Sequence, residues 1–199
     1  DKQDQGYHPA QSQGFGEKRK MMKVMTVADD VLIAIDPIPG SEDGTGEMTS
    51  RQRERSAVDG LLRKLLGDAS LQHDEAGKPL LEGYHISISH TVRRQGGYVA
   101  IMLSKSHEVG IDIEYVSDRI MRIAERFLRK DEKPVTVADH LVYWCAKEAV
   151  YKLFSSDDLT YQQMRVDVPM TTVENLKRNI SVGITPVVND NFVLVYTFI

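Results

Sequence analysis

Hydrophobic residues fall along the chain in short blocks with two different periods. Val31-Leu32-Ile33-Ala34-Ile35 is an unbroken apolar run of strand length and reads as a buried strand. Between 50 and 67 the apolar positions Ala57, Leu61, Leu62, Leu65 and Leu66 recur three and four apart. With Ser50 as N-cap and Gly67 as the stop, the spacing predicts a helix over 50–67. Alternation then returns at 84–89, where Tyr84, Ile86 and Ile88 oppose His85, Ser87 and Ser89. It recurs at 98–103, after Gln95-Gly96-Gly97, and at 109–114, so three strands are predicted. Ile120, Ile123, Phe127 and Leu128 mark a helix over 119–129, and a second runs over 140–154. Strands at 164–168 and 192–198 close the chain.

This order, strand–helix–strands followed by strand–helices–strands, predicts an α+β fold of two similar lobes. The boundaries are 21–108 for the N-terminal lobe and 109–199 for the C-terminal lobe, with residues 1–20 a polar, Gln/Gly-rich flexible leader. Residues 37–49, with three glycines and two prolines, read as a loop.

Composition narrows the function classes. The 199 residues are 41% hydrophobic, and 25 Lys+Arg against 29 Asp+Glu give a net charge of −4. No apolar run approaches the ~18–20 residues of a membrane span. Mild acidity with few aromatic residues argues against a dedicated nucleic-acid binder. The single cysteine, Cys145, excludes an internal disulfide framework and a multi-cysteine zinc site. A cytoplasmic location is expected.

Three clusters carry candidate chemistry. In Val109-Gly110-Ile111-Asp112-Ile113-Glu114, period two puts Val109, Ile111 and Ile113 on a core face and Gly110, Asp112 and Glu114 on the other. The two carboxylates are either solvated acids or a pair held by a hard cation such as Mg²⁺, with Gly110 leaving room for a ligand. On the helix over 140–154, Trp144, Lys147, Glu148, Tyr151 and Lys152 form one stripe, while Val142, Cys145, Ala149 and Leu153 face a core. That stripe is an ordinary surface with a Glu148–Lys152 ion pair, or a phosphate–metal face. His90 follows a strand among hydroxyls, Ser87, Ser89 and Thr91, with Lys78 in the turn upstream. Arg51, Arg53 and Arg55 crowd a helix N-terminus, as a solvated surface or a pocket for an anion.

Taken in order, Gly77-Lys78-Pro79, Ile88-Ser89-His90-Thr91, Val109-Gly110-Ile111-Asp112-Ile113-Glu114 and Trp144-Cys145-Ala146-Lys147-Glu148-Ala149-Val150-Tyr151-Lys152 resemble the motifs of the 4′-phosphopantetheinyl transferase superfamily. Arg126-Phe127-Leu128 resembles a further family segment. More than a hundred residues precede Gly110, which is similar to the two-lobe Sfp type: a pseudo-two-fold pair of lobes, each a small antiparallel sheet packed with helices. The resemblance implies a monomer with its active site in the cleft between lobes. It also implies transfer of 4′-phosphopantetheine from coenzyme A to a carrier-protein serine, releasing 3′,5′-ADP, an activity of the holo-[acyl-carrier-protein] synthase kind.

Carried over by position, Asp112, Glu114 and Glu148 would hold Mg²⁺, or Mn²⁺. Glu148 would deprotonate the serine and Lys152 would meet the pyrophosphate. Lys78, Ser89, His90 and Lys147 would contact coenzyme A, and Arg51 and Arg55 its 3′-phosphoadenosine. Ile86 and Ser87 depart from the family's aromatic-Asn pair, and Thr91 from its second Ser. That altered strand end supports a competing reading, a weak or inactive relative that binds coenzyme A or carrier protein without turnover. The intact acids and lysines weigh against it. The partner implied is an acidic acyl or peptidyl carrier protein. Arg119, Arg122 and Arg126 are either its docking surface or a helix face balanced by Asp118 and Glu125.

Overall fold

The computed structural model describes residues 22–40 and 48–199; the expected leader over 1–20 and the middle of the loop over 37–49 lie outside them. The chain is α+β. Strands β1 (Lys23–Ala28) and β2 (Val31–Pro39) form a hairpin, followed by helix α1 (Ser50–Leu66). A short pair, β3 (Gln72–His73) and β4 (Pro79–Leu80), carries the Gly77-Lys78 turn. The long hairpin β5 (His85–Arg93) and β6 (Gly96–Ser104) leads into β7 (Val109–Tyr115). A 3₁₀ segment (Asp118–Ile123), the one-turn helix α2 (Ala124–Phe127) and helix α3 (Val137–Leu153) come next. Strands β8 (Met164–Val166), β9 (Thr172–Asn175), β10 (Ile180–Gly183), β11 (Thr185–Val188) and β12 (Phe192–Phe198) complete the chain.

Two antiparallel sheets, ordered β1-β2-β6-β5 and β11-β12-β7, pack face to face. Val31, Ile33, Ala100 and Met102 of one sheet meet Ile111, Ile113 and Leu194 of the other in a shared apolar core. Helix α1 covers the outer face of the first sheet through Val58, Leu61 and Leu62. Helix α3 covers the outer face of the second through Leu141, Cys145, Ala146 and Val150, together with β8–β10. The resulting layers run helix, sheet, sheet, helix, and each apolar stripe has one partner.

Several elements differ from their sequence-based bounds for local reasons. Thr49, not Ser50, caps α1: its hydroxyl accepts the Gln52 N–H, and the Gln52 side-chain oxygen accepts the Thr49 N–H, in a capping box. A second capping box, Thr136 with Asp139, starts α3 three residues earlier than expected. Pro37 and Pro39 belong to β2 rather than a loop. Beyond Ile35 that strand pairs with β6 but no longer with β1, so the missing proline N–H groups cost no ladder bond on the open side. The helix expected over 119–129 is mainly 3₁₀, begun by the Ser117 hydroxyl accepting the Arg119 N–H, and its α turn ends at Phe127. The strand near 164 stops at Val166, because the Asp167 carboxylate accepts N–H bonds from Thr171 and Thr172 in a turn.

Candidate active site

Strands β5 and β7 lie side by side where the two sheets meet, but they exchange no backbone ladder. Strand β7 pairs with β12 on one edge, which leaves Ile111 and Ile113 N–H groups on the other without strand partners. Hydroxyls fill that role. The Ser87 Oγ accepts the Ile111 N–H (3.1 Å) and the Ser89 Oγ accepts the Ile113 N–H (3.2 Å). Ser89 also donates to Asp112 Oδ1 (2.8 Å), and Thr91 donates to Glu114 Oε2 (3.0 Å). Two of the three positions that depart from the family pattern, Ser87 and Thr91, thus bind the two sheets together. The sequence signal was available: hydroxyls at 87, 89 and 91 share one face of a strand.

On β7 the opposite face carries Gly110, Asp112 and Glu114, as alternation predicts. The space at Gly110 is taken by α3, not by a ligand. A Cβ there would stand 2.1 Å from the Ala149 carbonyl oxygen. This close approach brings Glu148 and Lys152, four residues apart, over the β7 acids. Lys152 Nζ donates to the Ile111 carbonyl oxygen (3.0 Å) and to Asp112 Oδ1 (2.8 Å), so its ion pair is with Asp112 and not with Glu148. Glu148 Oε1 instead accepts the Tyr161 hydroxyl at 2.6 Å.

The electrostatics show three carboxyl groups sharing one crevice. Burial raises the Glu114 pKa to about 7, helped by the Asp112 charge and opposed by hydrogen bonds from Thr91 and Trp144. Burial also raises Glu148; the Tyr161 hydrogen bond opposes this, and the Asp112 charge adds to it. Asp112 Oδ2 is buried without a hydrogen-bond partner. The neighbouring Cys145 thiol, a weak donor, is turned to the Val193 carbonyl oxygen (3.7 Å). Burial and the Asp112 and Glu114 charges hold that thiol protonated, consistent with a core cysteine. As oriented, each carboxylate faces a protein partner, and among the described residues no three His, Cys, Asp or Glu side chains form a cluster able to hold a metal ion. The donor set still fits a hard divalent cation: three carboxylates, one with a buried orphan oxygen and two with raised proton affinity.

Other candidates are distributed as follows. Arg51, Arg55 and His90 line one cavity of about 690 Å³ with Glu54, His73 and Gly77. Arg53, two residues from each arginine, points the other way and donates to the Pro39 (3.0 Å) and Arg93 (2.7 Å) carbonyl oxygens. Lys78 lines the adjoining cavity of about 830 Å³ with Ser70, Gln72 and Tyr84; Pro79 borders both. Ser89 is buried and committed to β7. Arg119, Arg122 and Arg126 are exposed, next to a half-exposed Met121.

Lys147 lies outside the crevice. It is fully buried and donates to Glu132 Oε2 (2.6 Å) and to the carbonyl oxygens of Phe127 (2.8 Å) and Tyr161 (3.2 Å). Five residues at about 100° each separate Lys147 from Lys152 by about 140° around the helix, too wide an arc for one site. Sequence reasoning missed two of its three partners, Glu132 and Tyr161. Their isolated positions in irregular segments give no periodic signal.

Residues 108–185 match the model of the 4′-phosphopantetheinyl transferase superfamily. On that segment the resemblance carried by the motifs holds at the level of the superfamily. It includes Asp112, Glu114, Glu148, Lys152 and Tyr161, while Lys78, Ser89 and His90 precede it. No curated protein sequence matches the chain. Among the described residues no helix is long and apolar enough to cross a membrane.

Proposed function

We propose that the protein transfers 4′-phosphopantetheine from coenzyme A to a serine of an acyl or peptidyl carrier protein, in the manner of the two-lobe Sfp type. The observation that carries this reading is the meeting of Asp112 and Glu114 with Glu148 and Lys152 beside β5, where Asp112 Oδ2 is buried and unpartnered. A division into lobes over 21–108 and 109–199 would assign one sheet to each lobe, with the crevice at the seam.

In the reaction, the carrier serine oxygen attacks the phosphorus of the pyrophosphate that bears the pantetheine arm. The new O–P bond forms as the bridging P–O bond breaks, and 3′,5′-ADP leaves. Such transfers depend on in-line positioning and charge neutralisation more than on covalent catalysis. A divalent cation held by Asp112, Glu114 and Glu148 would neutralise the pyrophosphate oxygens. Glu148, whose proton affinity is raised by burial, would accept the serine proton. Lys152 supplies a positive charge on the crevice wall. Arg51, Arg55 and His90 offer a cationic cavity for the 3′-phosphoadenosine end, with Lys78 in the adjoining one. The exposed Arg119, Arg122 and Arg126 suit an acidic carrier. A monomer in the cytoplasm fits this role.

Chromatography of 3′,5′-ADP tests the reading. Release that requires both an apo-carrier with its serine and Mg²⁺ or Mn²⁺ supports it. Release without a carrier identifies a phosphohydrolase. The competing reading, a non-catalytic module, draws on the carboxylates' engagement with protein partners; coenzyme A binding without release would establish it.

A further inference from the structure

The sequence motifs do not include Tyr161, yet among the described residues its hydroxyl makes the one hydrogen bond recorded to the Glu148 carboxylate, at 2.6 Å. Its ring is fixed from two directions. It lies against the Trp144 indole (centroids 5.4 Å apart), which in turn packs edge-on against buried Phe127 (5.3 Å). Its backbone carbonyl accepts Lys147 Nζ at 3.2 Å, and Lys147 is itself locked to Glu132 in the core. The 3₁₀ turn Tyr161–Gln163 that presents it is closed by a Thr160–Gln163 capping box. The Trp144 side chain also favours the charged form of Glu114. The tilted Trp144–Tyr161 pair thus borders both acids.

We propose that Tyr161 is a positioning residue for Glu148. Resting on the transferase reading, this deepens it: one carboxylate oxygen is held by the hydroxyl, so the other is aimed to serve the divalent cation and the incoming nucleophile. Lys147 then acts from the core, by fixing the backbone of the residue that orients its own neighbour in the sequence. Hydrogen-bond partners behind a carboxylate ligand typically set ~10–100-fold of metal affinity.

The test uses Mn²⁺ alone, with no coenzyme A, titrated into the full chain and followed by electron paramagnetic resonance. Tyr161→Phe keeps the ring and removes the hydroxyl. The expected result is an Mn²⁺ Kd weaker by about tenfold or more at an unchanged melting temperature. In a Glu148→Gln background the same substitution should add nothing, because its effect runs through that carboxylate. An unchanged or tighter Kd overturns the proposal, as does an equal loss in the Glu148→Gln background. A destabilised Tyr161→Phe chain would assign the hydroxyl to the fold and overturn it too, and so would a wild type that binds no Mn²⁺. If Mn²⁺ affinity depends on Tyr161 while no carrier is modified, the positioning role stands and the transferase reading falls. Carrier modification with an indifferent Tyr161→Phe gives the reverse.

Discussion

Replacing Lys147 by methionine separates a structural lysine from a cofactor contact. The side chain and its partner Glu132 are 0% and 2% exposed, with 2.6 Å between Nζ and Oε2. Burial lowers the Lys147 pKa, and Glu132 opposes that shift through its hydrogen bond and charge. Glu132 also accepts the Arg129 N–H (2.9 Å) and the Val166 N–H (2.9 Å), so it ties the segment after α2 and strand β8 to α3. Methionine fills a similar volume but leaves this carboxylate in the core with two amide donors and no countercharge. Removing one partner of a buried pair costs ~3–5 kcal/mol. With an m-value of ~2 kcal/mol/M in urea, the midpoint should fall by about 1.5–2.5 M. The melting temperature should drop by ~6–20 °C. Glu132→Gln in the same chain should recover part of the loss, since it removes the stranded charge. At a temperature where the variant is folded, calorimetry should give a coenzyme A Kd within about threefold of the wild type, a change of ~0.7 kcal/mol or less. A Lys147→Met chain of unchanged urea midpoint but weakened coenzyme A binding would refute this account and return Lys147 to the cofactor site.

Glu114 makes the stability of the metal-free protein pH-dependent. Its folded-state pKa of about 7 lies above the ordinary glutamate value of 4.5, so the folded chain holds the proton more tightly and stability falls as pH rises between the two. The loss should reach about 3 kcal/mol when followed by urea denaturation in chelator, and Glu114→Gln should flatten the profile. Gly110→Ala drives a Cβ into the Ala149 carbonyl oxygen on α3, and thermal melts should show a loss of ~3 kcal/mol or a chain that does not fold. Charge reversal at Arg122 and Arg126 should raise the carrier KM more than the coenzyme A KM in steady-state assays. Equal KM values for variant and wild type would remove the basic segment from the docking surface.

The apolar periods in the sequence located α1, α3 and the strands β2, β5, β6, β7 and β12, because each buries a regular face against one neighbouring layer. Strand β1 was missed. It is an edge strand with exposed positions such as Val24, so its pattern does not alternate cleanly. The short strands β9, β10 and β11 escape for a similar reason: four residues are too few to set a period. At the candidate site, Asp112, Glu114, Glu148 and Lys152 were legible, since one strand face and one helix stripe carry them. The burial of Lys147 was not legible, because it depends on Glu132 lying 15 residues upstream in an irregular segment. The shared strand face of Ser87, Ser89 and Thr91 was legible, but not that it meets an unpaired edge of β7.

The crevice between β5, β7 and α3 is proposed to attach phosphopantetheine to a carrier. The decisive measurement is intact-mass spectrometry of an apo-carrier incubated with the protein, coenzyme A and Mg²⁺. A mass gain of one phosphopantetheine on the carrier serine is expected. That gain should be lost in Asp112→Asn and Glu148→Gln chains that still melt as cooperatively as the wild type. A carrier of unchanged mass with the wild-type protein, or full modification by both variants, would contradict it.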